Sequence, residues 1–196
     1  MSFYRSNSGK GGLFLRRLAL LFVFSWAFHL RAADSPAPTE YQIKAAFIYN
    51  FAKFVEWPPE TFATPDKPII LGVLGDESVG QDLAVIDGKV VGTHPIKVRR
   101  FRYLPDIAEC HILFILPSQR MELPAIVQAV RTRAILTICE GAKDFARVGT
   151  IINLVKTPED KIRFEINVDA AKRAGLKIES PLLNLAKIVH DPKPPH

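Results

Sequence analysis

The stretch EYQIKAAFIYNFAKFVEWPP, residues 40–59, sets apolar side chains at helical spacing and then breaks off at two prolines. At roughly 100° per residue, Ile43, Phe47, Phe51, Phe54 and Val55 gather on one arc. Lys44 and Asn50 project into the same arc, whereas Gln42, Lys53 and Glu56 fall outside it. Pro58-Pro59 ends the helix, because proline lacks an amide proton and restricts the residue before it. A buried ammonium or amide is costly unless partnered. Lys44 and Asn50 are therefore expected to hold fixed partners, either in a hydrogen bond that ties the helix to the fold or in a ligand or partner contact.

Farther along, continuous apolar runs alternate with helical segments. IILGVL (Ile69–Leu74) and HILFIL (111–116) read as strands buried on both faces. A short helix is expected over 77–86, closed by Asp87-Gly88, then strand segments at Val90–Val91 and 96–101. A helix over 122–133 and a strand over 135–139 follow. After Gly141 the pattern changes: residues 150–155 and 161–166 are β-rich and flank Thr157-Pro158-Glu159-Asp160, a hairpin turn. Asn167 caps a short helix over 168–174, with Gly175 at the left-handed position beyond it. Ser180-Pro181 opens a last helix over 182–189. The fold class is α/β: a single domain with a mixed, mainly parallel sheet flanked by helices, ending in an antiparallel hairpin and two short C-terminal helices.

The chain has 196 residues and a formal net charge of +6, but the charge is concentrated at one end. Arg5, Lys10, Arg16 and Arg17 precede the apolar run LALLFVFSWAF (18–28), and Leu30-Arg31-Ala32 offers a small residue for cleavage. That is the pattern of a secretory signal peptide, residues 1–32, rather than of a spanning helix, which needs about 20 apolar residues. It holds five of the 26 basic residues and none of the 20 acidic ones, so the remainder carries 21 against 20, a net charge of +1. A nucleic-acid binder needs a concentrated basic face. The nearest approach is Lys97, Arg99, Arg100 and Arg102, of which the first two alternate with Ile96 and Val98 as the polar side of a strand does, so nucleic acid is not an expected partner. Residues 33–39 read as a flexible lead, 40–190 as the folded domain and 191–196 as a disordered tail. The expected location is the periplasm, without direct membrane insertion once the signal is removed.

Chemistry is sparse. Gly75, Asp76 and Gly80 in GDESVG space two glycines like a phosphate loop, yet Gln81-Asp82 stand where Lys and Ser or Thr belong, and acidic Asp76 and Glu77 repel phosphate. The loop remains a candidate entry for a small ligand, because ligands enter α/β sheets at the carboxyl ends of strands. His94, His111, His190 and His196 lack metal-ligand spacing, so no metal is expected. His111 reads as a satisfied histidine at the edge of the core, and adjacent Cys110 cannot serve it as a nucleophile, since neighbours on a strand point to opposite faces. Cys110 opens one strand and Cys139 closes the next, which puts the sulfurs at opposite ends of strands roughly 15–20 Å long. A disulfide needs α-carbons within about 7 Å, so two free thiols are expected. Glu165 in RFEIN shares a strand face with Arg163; a cross-strand ion pair and a partner contact both remain open. No catalytic residue and no cofactor is expected, and the protein does not read as an enzyme.

Six segments carry a resemblance: KAAFIYNFAKFVEWP (44–58), LGVLG (71–75), AECHILFI (108–115), ILTICE (135–140), GTIINL (149–154) and RFEINVDAAKRAGLKIES followed by LLNLA (163–186). In that order and spacing the chain resembles the YfiR family of periplasmic proteins, over essentially all of its length after the leader. The resemblance implies a compact α/β domain without known catalysis. Such a domain binds the periplasmic sensing domain of an inner-membrane diguanylate cyclase of the YfiN type and represses it, lowering cyclic-di-GMP and biofilm formation. Lys44, Asn50, Phe51, Trp57 and Pro58 match the first motif, and Glu165, Asn167, Ala171, Gly175 and Leu176 match the last. The family's C-terminal region is implicated in holding the cyclase, so Glu165, Asn167, Ala171, Leu176 and Trp57 are the expected partner-binding residues. Family members are often dimeric, and a homodimer is compatible with the resemblance. Family repressors can carry two redox-responsive disulfides; this chain has two cysteines in all, so redox control of that kind is not expected. The alternative reading is a periplasmic small-molecule sensor with a pocket near Gly75, Gly80 and Lys44, and an exported hydrolase ranks third.

Overall fold

A computed structural model describes residues 37–75, 79–102, 107, 109–141 and 145–192. The expectations for the leader, for Asp76 and for most of the tail lie outside the described residues. From Pro38 onward the chain is one unit. Its strands are β1 (Val55–Glu56), β2 (Ile69–Leu74), β3 (Val90–Val91), β4 (His94–Phe101), β5 (Ile112–Ile115), β6 (Leu136–Glu140), β7 (Ile152–Lys156), β8 (Ile162–Asn167), β9 (Lys177–Ile178) and β10 (Lys187–Val189). Its helices are α1 (Glu40–Lys53), α2 (Val79–Leu83), α3 (Leu123–Val130), α4 (Val168–Arg173) and α5 (Ser180–Leu183).

Eight strands form one sheet in the order β10-β8-β7-β6-β5-β2-β4-β3, and β1 pairs with β9 in a separate ribbon. The five strands β4, β2, β5, β6 and β7 are parallel. β3 joins β4 antiparallel, β8 returns antiparallel to β7, and β10 lies parallel to β8. The central apolar runs are buried throughout because both faces of the sheet are covered. One apolar layer joins α1, α2 and α4 to the sheet; the other joins α3 to the opposite face of β2, β5 and β6. The chain leaves β2 toward β4 and then returns to β5 on the other side of β2. The mainly parallel sheet, its flanking helices and the closing hairpin all match the sequence-based fold class.

Three local expectations change. Thr39 and Gln42 form a capping box at the start of α1, each accepting from the other's backbone N–H at 3.2 Å. The helix then buries Lys44, Ala45, Ile48, Phe51 and Ala52, so its inner arc is turned toward the alanines. Ile43 and Asn50 are exposed, contrary to the expected arc, because small side chains let the helix lie close to the sheet while larger ones flank it. Val55 leaves the helix altogether and pairs with Ile178.

The expected last helix over 182–189 is also corrected. After the single turn of α5 the chain extends, and Lys187, Ile188 and Val189 pair with Glu165, Ile166 and Asn167 of β8. The β-branched pair Ile188-Val189 suits a strand, and the outer flank of β8 offers it a ladder. Tertiary pairing thus overrides a local helix pattern.

Candidate functional site: a C-terminal docking face

A row of polar side chains crosses four adjacent strands under this face. Cys139 of β6 is opposite Asn153 of β7, Asn153 is opposite Glu165 of β8, and Glu165 is opposite Lys187 of β10. The Asn153 side-chain amide donates to Glu165 Oε2 at 3.0 Å, and Lys187 Nζ donates to Glu165 Oε1 at 3.2 Å. The Cys139 thiol reaches Asn153 Oδ1 at 3.5 Å and Thr150 Oγ1 at 3.1 Å. Glu165 is only 2% exposed. It therefore braces the outer strand from inside instead of presenting a carboxylate to a partner. The expected companion Arg163 is exposed; the ion pair is made across the neighbouring strand, by Lys187.

Asn167 is likewise a support. Its side-chain oxygen accepts from the N–H groups of Asp169 and Ala170 at 3.1 and 3.0 Å, capping α4. Its amide nitrogen donates to the Ala146 carbonyl at 3.1 Å and to Asp191 Oδ1 at 3.0 Å. Arg173 clamps the same Asp191 carboxylate. Burial works against ionisation of Asp191, but Arg173 and Asn167 together hold its carboxyl below the usual range.

At the far end of α4, Gly175 takes a positive φ of 71°, which lets Leu176 N–H return to the Ala171 carbonyl at 3.0 Å. The turn feeds β9, which β1 holds in place. α4, β9 and α5 then enclose a surface groove of about 370 Å³. Val168, Ala171, Leu176, Ile178 and Leu183 give it an apolar lining, and Lys172 and Lys177 stand beside them. Two residues past Leu183, Leu185 is 75% exposed, and Ile188 on the edge strand is 40% exposed. Ala171 and Leu176 thus do belong to the groove, though mainly as buried lining. Sequence reading missed Leu185, Ile188 and Lys172; the first two were placed inside the helix expected over 182–189.

Trp57 follows β1 and is half-buried. Its ring meets Phe62 edge-on at 6.1 Å, and its indole N–H is buried without a hydrogen-bond partner among the described residues. Phe62 in turn stacks on His94 at 4.1 Å and on His111 at 4.9 Å. His111 Nδ1 accepts from the Ile70 N–H at 3.0 Å, so the ring is neutral and structural. Burial, with Lys67 nearby, pushes its pKa down to about 4.

The other predicted residues lie elsewhere. Lys44 is 2% exposed, with Nζ at 2.6 Å from both Glu40 and Glu140, and its ammonium sits 4.3 Å from the Tyr41 ring. Glu40 also holds Lys156 at 3.0 Å, so this network ties α1 to the ends of β6 and β7. Asn50 takes no part in it. Gly75 (φ 131°) follows β2, and a Cβ there would meet Ser118 Oγ at 2.7 Å and Leu116 Cβ at 2.8 Å, so Gly75 packs against the segment after β5. Gly80 instead lies under the Arg100 side chain. The two glycines serve separate packing needs. Cys110 and Cys139 are both buried and free, at opposite ends of neighbouring parallel strands, and burial pushes each thiol up to about 12. Among the described residues no group of three His, Cys, Asp or Glu could hold a metal ion. This arrangement offers a contact surface with a braced floor.

The profile of a protein family described as YfiR/HmsC-like matches residues 41–187. Among solved structures, a conserved domain protein from Vibrio cholerae is similar at 14% identity with a TM-score of 0.51. The ABC domain in complex with L-Trp from Streptococcus pneumoniae is similar at 14% identity with a TM-score of 0.49. Each alignment covers 76% of this chain and 60% of the other, so the chain spans less than two thirds of those proteins. No curated protein matches the chain.

Proposed function

The chain belongs to the YfiR/HmsC-like family, and we propose that it is a non-enzymatic periplasmic regulator of diguanylate cyclase signalling. It binds the periplasmic sensor domain of an inner-membrane diguanylate cyclase and represses it, lowering cyclic-di-GMP and biofilm formation. The C-terminal face is the contact surface in this reading. The observation that carries it is the exposure of Leu185 and Ile188 beside a strand that Glu165 anchors from within, through Asn153 and Lys187. Exposed apolar side chains on a pre-organised backbone suit recognition, because little backbone freedom remains to be lost on binding. The secretory pattern of the first 32 residues supports the compartment. No helix among the described residues is long and apolar enough to cross a membrane.

The test is retention of membrane proteins from solubilised inner membranes of the host on the immobilised protein, identified by mass spectrometry. Recovery of a protein with a periplasmic sensor and a cyclase domain supports the reading. Recovery of only a different receptor, or of nothing above background by a well-folded sample, refutes it.

A further inference from the structure

β4 is covered by β3 for only part of its length. β3 pairs with His94 and Pro95, and the Gly88 N–H and Lys89 carbonyl extend this ladder to Ile96, each at 2.8 Å. Backbone groups of alternate residues on a strand point to the same side. The N–H and carbonyl groups of Val98 and Arg100 therefore also point away from β2. One of them has a substitute partner: Asp87 Oδ1 accepts the Val98 N–H at 2.7 Å, where a neighbouring strand would place a carbonyl. Among the described residues, the Val98 carbonyl and the main-chain N–H and carbonyl of Arg100 have no hydrogen-bond partner.

A groove of about 530 Å³ runs beside this open edge, between it and α2 with the turn that follows. Gly80 forms part of its wall, where a Cβ would come within 2.6 Å of Arg100 Cδ; glycine is what lets the arginine stem lie across α2. Lys97 and Arg100 line the groove with a single carboxylate, Asp87. Lys97 stands 3.7 Å from Asp87, and Arg99, on the face of the strand opposite Arg100, is paired with Glu109 at 3.1 Å. The opposite edge of the sheet differs. β10 has three residues and turns Lys187 inward to Glu165, a device that protects edges from pairing.

We infer that the outer edge of β4 at residues 98–100 is a second binding site, which takes an extended acidic segment of a protein partner as an added strand. The added strand supplies a carbonyl to the Arg100 N–H and an N–H to the Val98 carbonyl, while carboxylates on its two faces meet Arg100 on one side of β4 and Lys97 on the other. The site lies near the opposite end of the strand order from β10 and does not depend on the cyclase reading.

The probe is a fluorescein-labelled Glu-Glu-Val-Glu-Glu-Val hexapeptide, which carries carboxylates on both faces of an extended strand, titrated into the purified protein by anisotropy. Backbone amide exchange is followed by NMR in parallel, with the lysine–valine hexapeptide as control. Saturable binding of the acidic peptide alone is expected, with slowed exchange of the Arg100 amide. Arg100→Pro, which removes an outward N–H at an edge where proline is tolerated, and Lys97→Glu should each weaken binding about tenfold or more. Absence of saturable binding overturns the inference, as does equal binding by a folded Arg100→Pro variant. Binding that follows charge while Arg100 exchange in the wild type is unchanged overturns strand addition. That last readout decides the matter even where Arg100→Pro does not fold.

Discussion

Lys187, on the outermost strand, donates at 3.2 Å to Glu165, which is buried on the strand beside it. The pair explains why three residues at the end of the fold form a strand at all. It also moves Glu165 from the surface of the C-terminal face to its foundation. Glu165 is buried whereas the Lys187 side chain is 43% exposed, so removing the lysine leaves a buried carboxylate short of its cation, while removing the glutamate leaves a cation that water can reach. Lys187→Met, which deprives the buried carboxylate of that cation, and Glu165→Ala, which takes an acceptor from the buried Asn153 amide, should each lower the urea midpoint, at a cost of about 1–3 kcal/mol. A partner-facing Glu165 would instead leave the midpoint unchanged on substitution.

Asn167 has separable duties. Asn167→Ala should cost about 1–2 kcal/mol by removing the cap of α4 and the bond to Ala146. Asn167→Asp keeps a capping oxygen but sets a second carboxylate against Asp191. Its deficit should therefore shrink on acidification, which thermal melts at several pH values would reveal.

His111 predicts an acid limb. Unfolded imidazole binds its proton near about pH 6.5, whereas the folded group does so only at about 4. Between these values the unfolded state carries the extra proton, so stability falls as pH drops and the loss is complete below about pH 4. It amounts to roughly 3 kcal/mol at most. His111→Asn keeps an acceptor for the Ile70 N–H without a titrating ring. The difference in unfolding free energy between wild type and variant should vary with pH across this window; a flat difference would contradict the assignment.

The thiols should be silent. Cys110 and Cys139 are buried with pKa values pushed up to about 12, and the thiolate is the reactive form. A maleimide should label neither in the native protein and both in urea. Prompt native labelling of either would show that its layer opens.

Much of the fold was legible because buried parallel strands announce themselves as unbroken apolar runs, as in IILGVL and HILFIL. The cap Asn167 and the glycine Gly175 likewise act locally, through their own backbone. What was hidden depends on neighbours distant in sequence. β10 exists because β8 leaves a ladder open to it. Glu165 looked half-exposed because RFEIN alternates, yet all four residues Phe164, Glu165, Ile166 and Asn167 are buried, since the turn at Phe145–Val148 covers the second face of β8. One partner of Lys44, Glu40, stands a single helical turn upstream, but the other, Glu140, lies 96 positions away and was not readable. The exposed edge of β4 was read only as the polar side of a strand, since a single strand does not reveal how far its neighbour extends.

The central claim is that the C-terminal face holds the cyclase. The most direct measurement titrates the periplasmic domain of a diguanylate cyclase from the same host against the wild type and the Leu185→Asp variant. Leu185 packs little of its surface in the fold, so the variant should melt within a degree or two of the wild type. The account predicts saturable binding by the wild type and a loss of about tenfold or more in affinity for Leu185→Asp. Equal affinity of the two proteins, or no binding by a folded wild type, would contradict it.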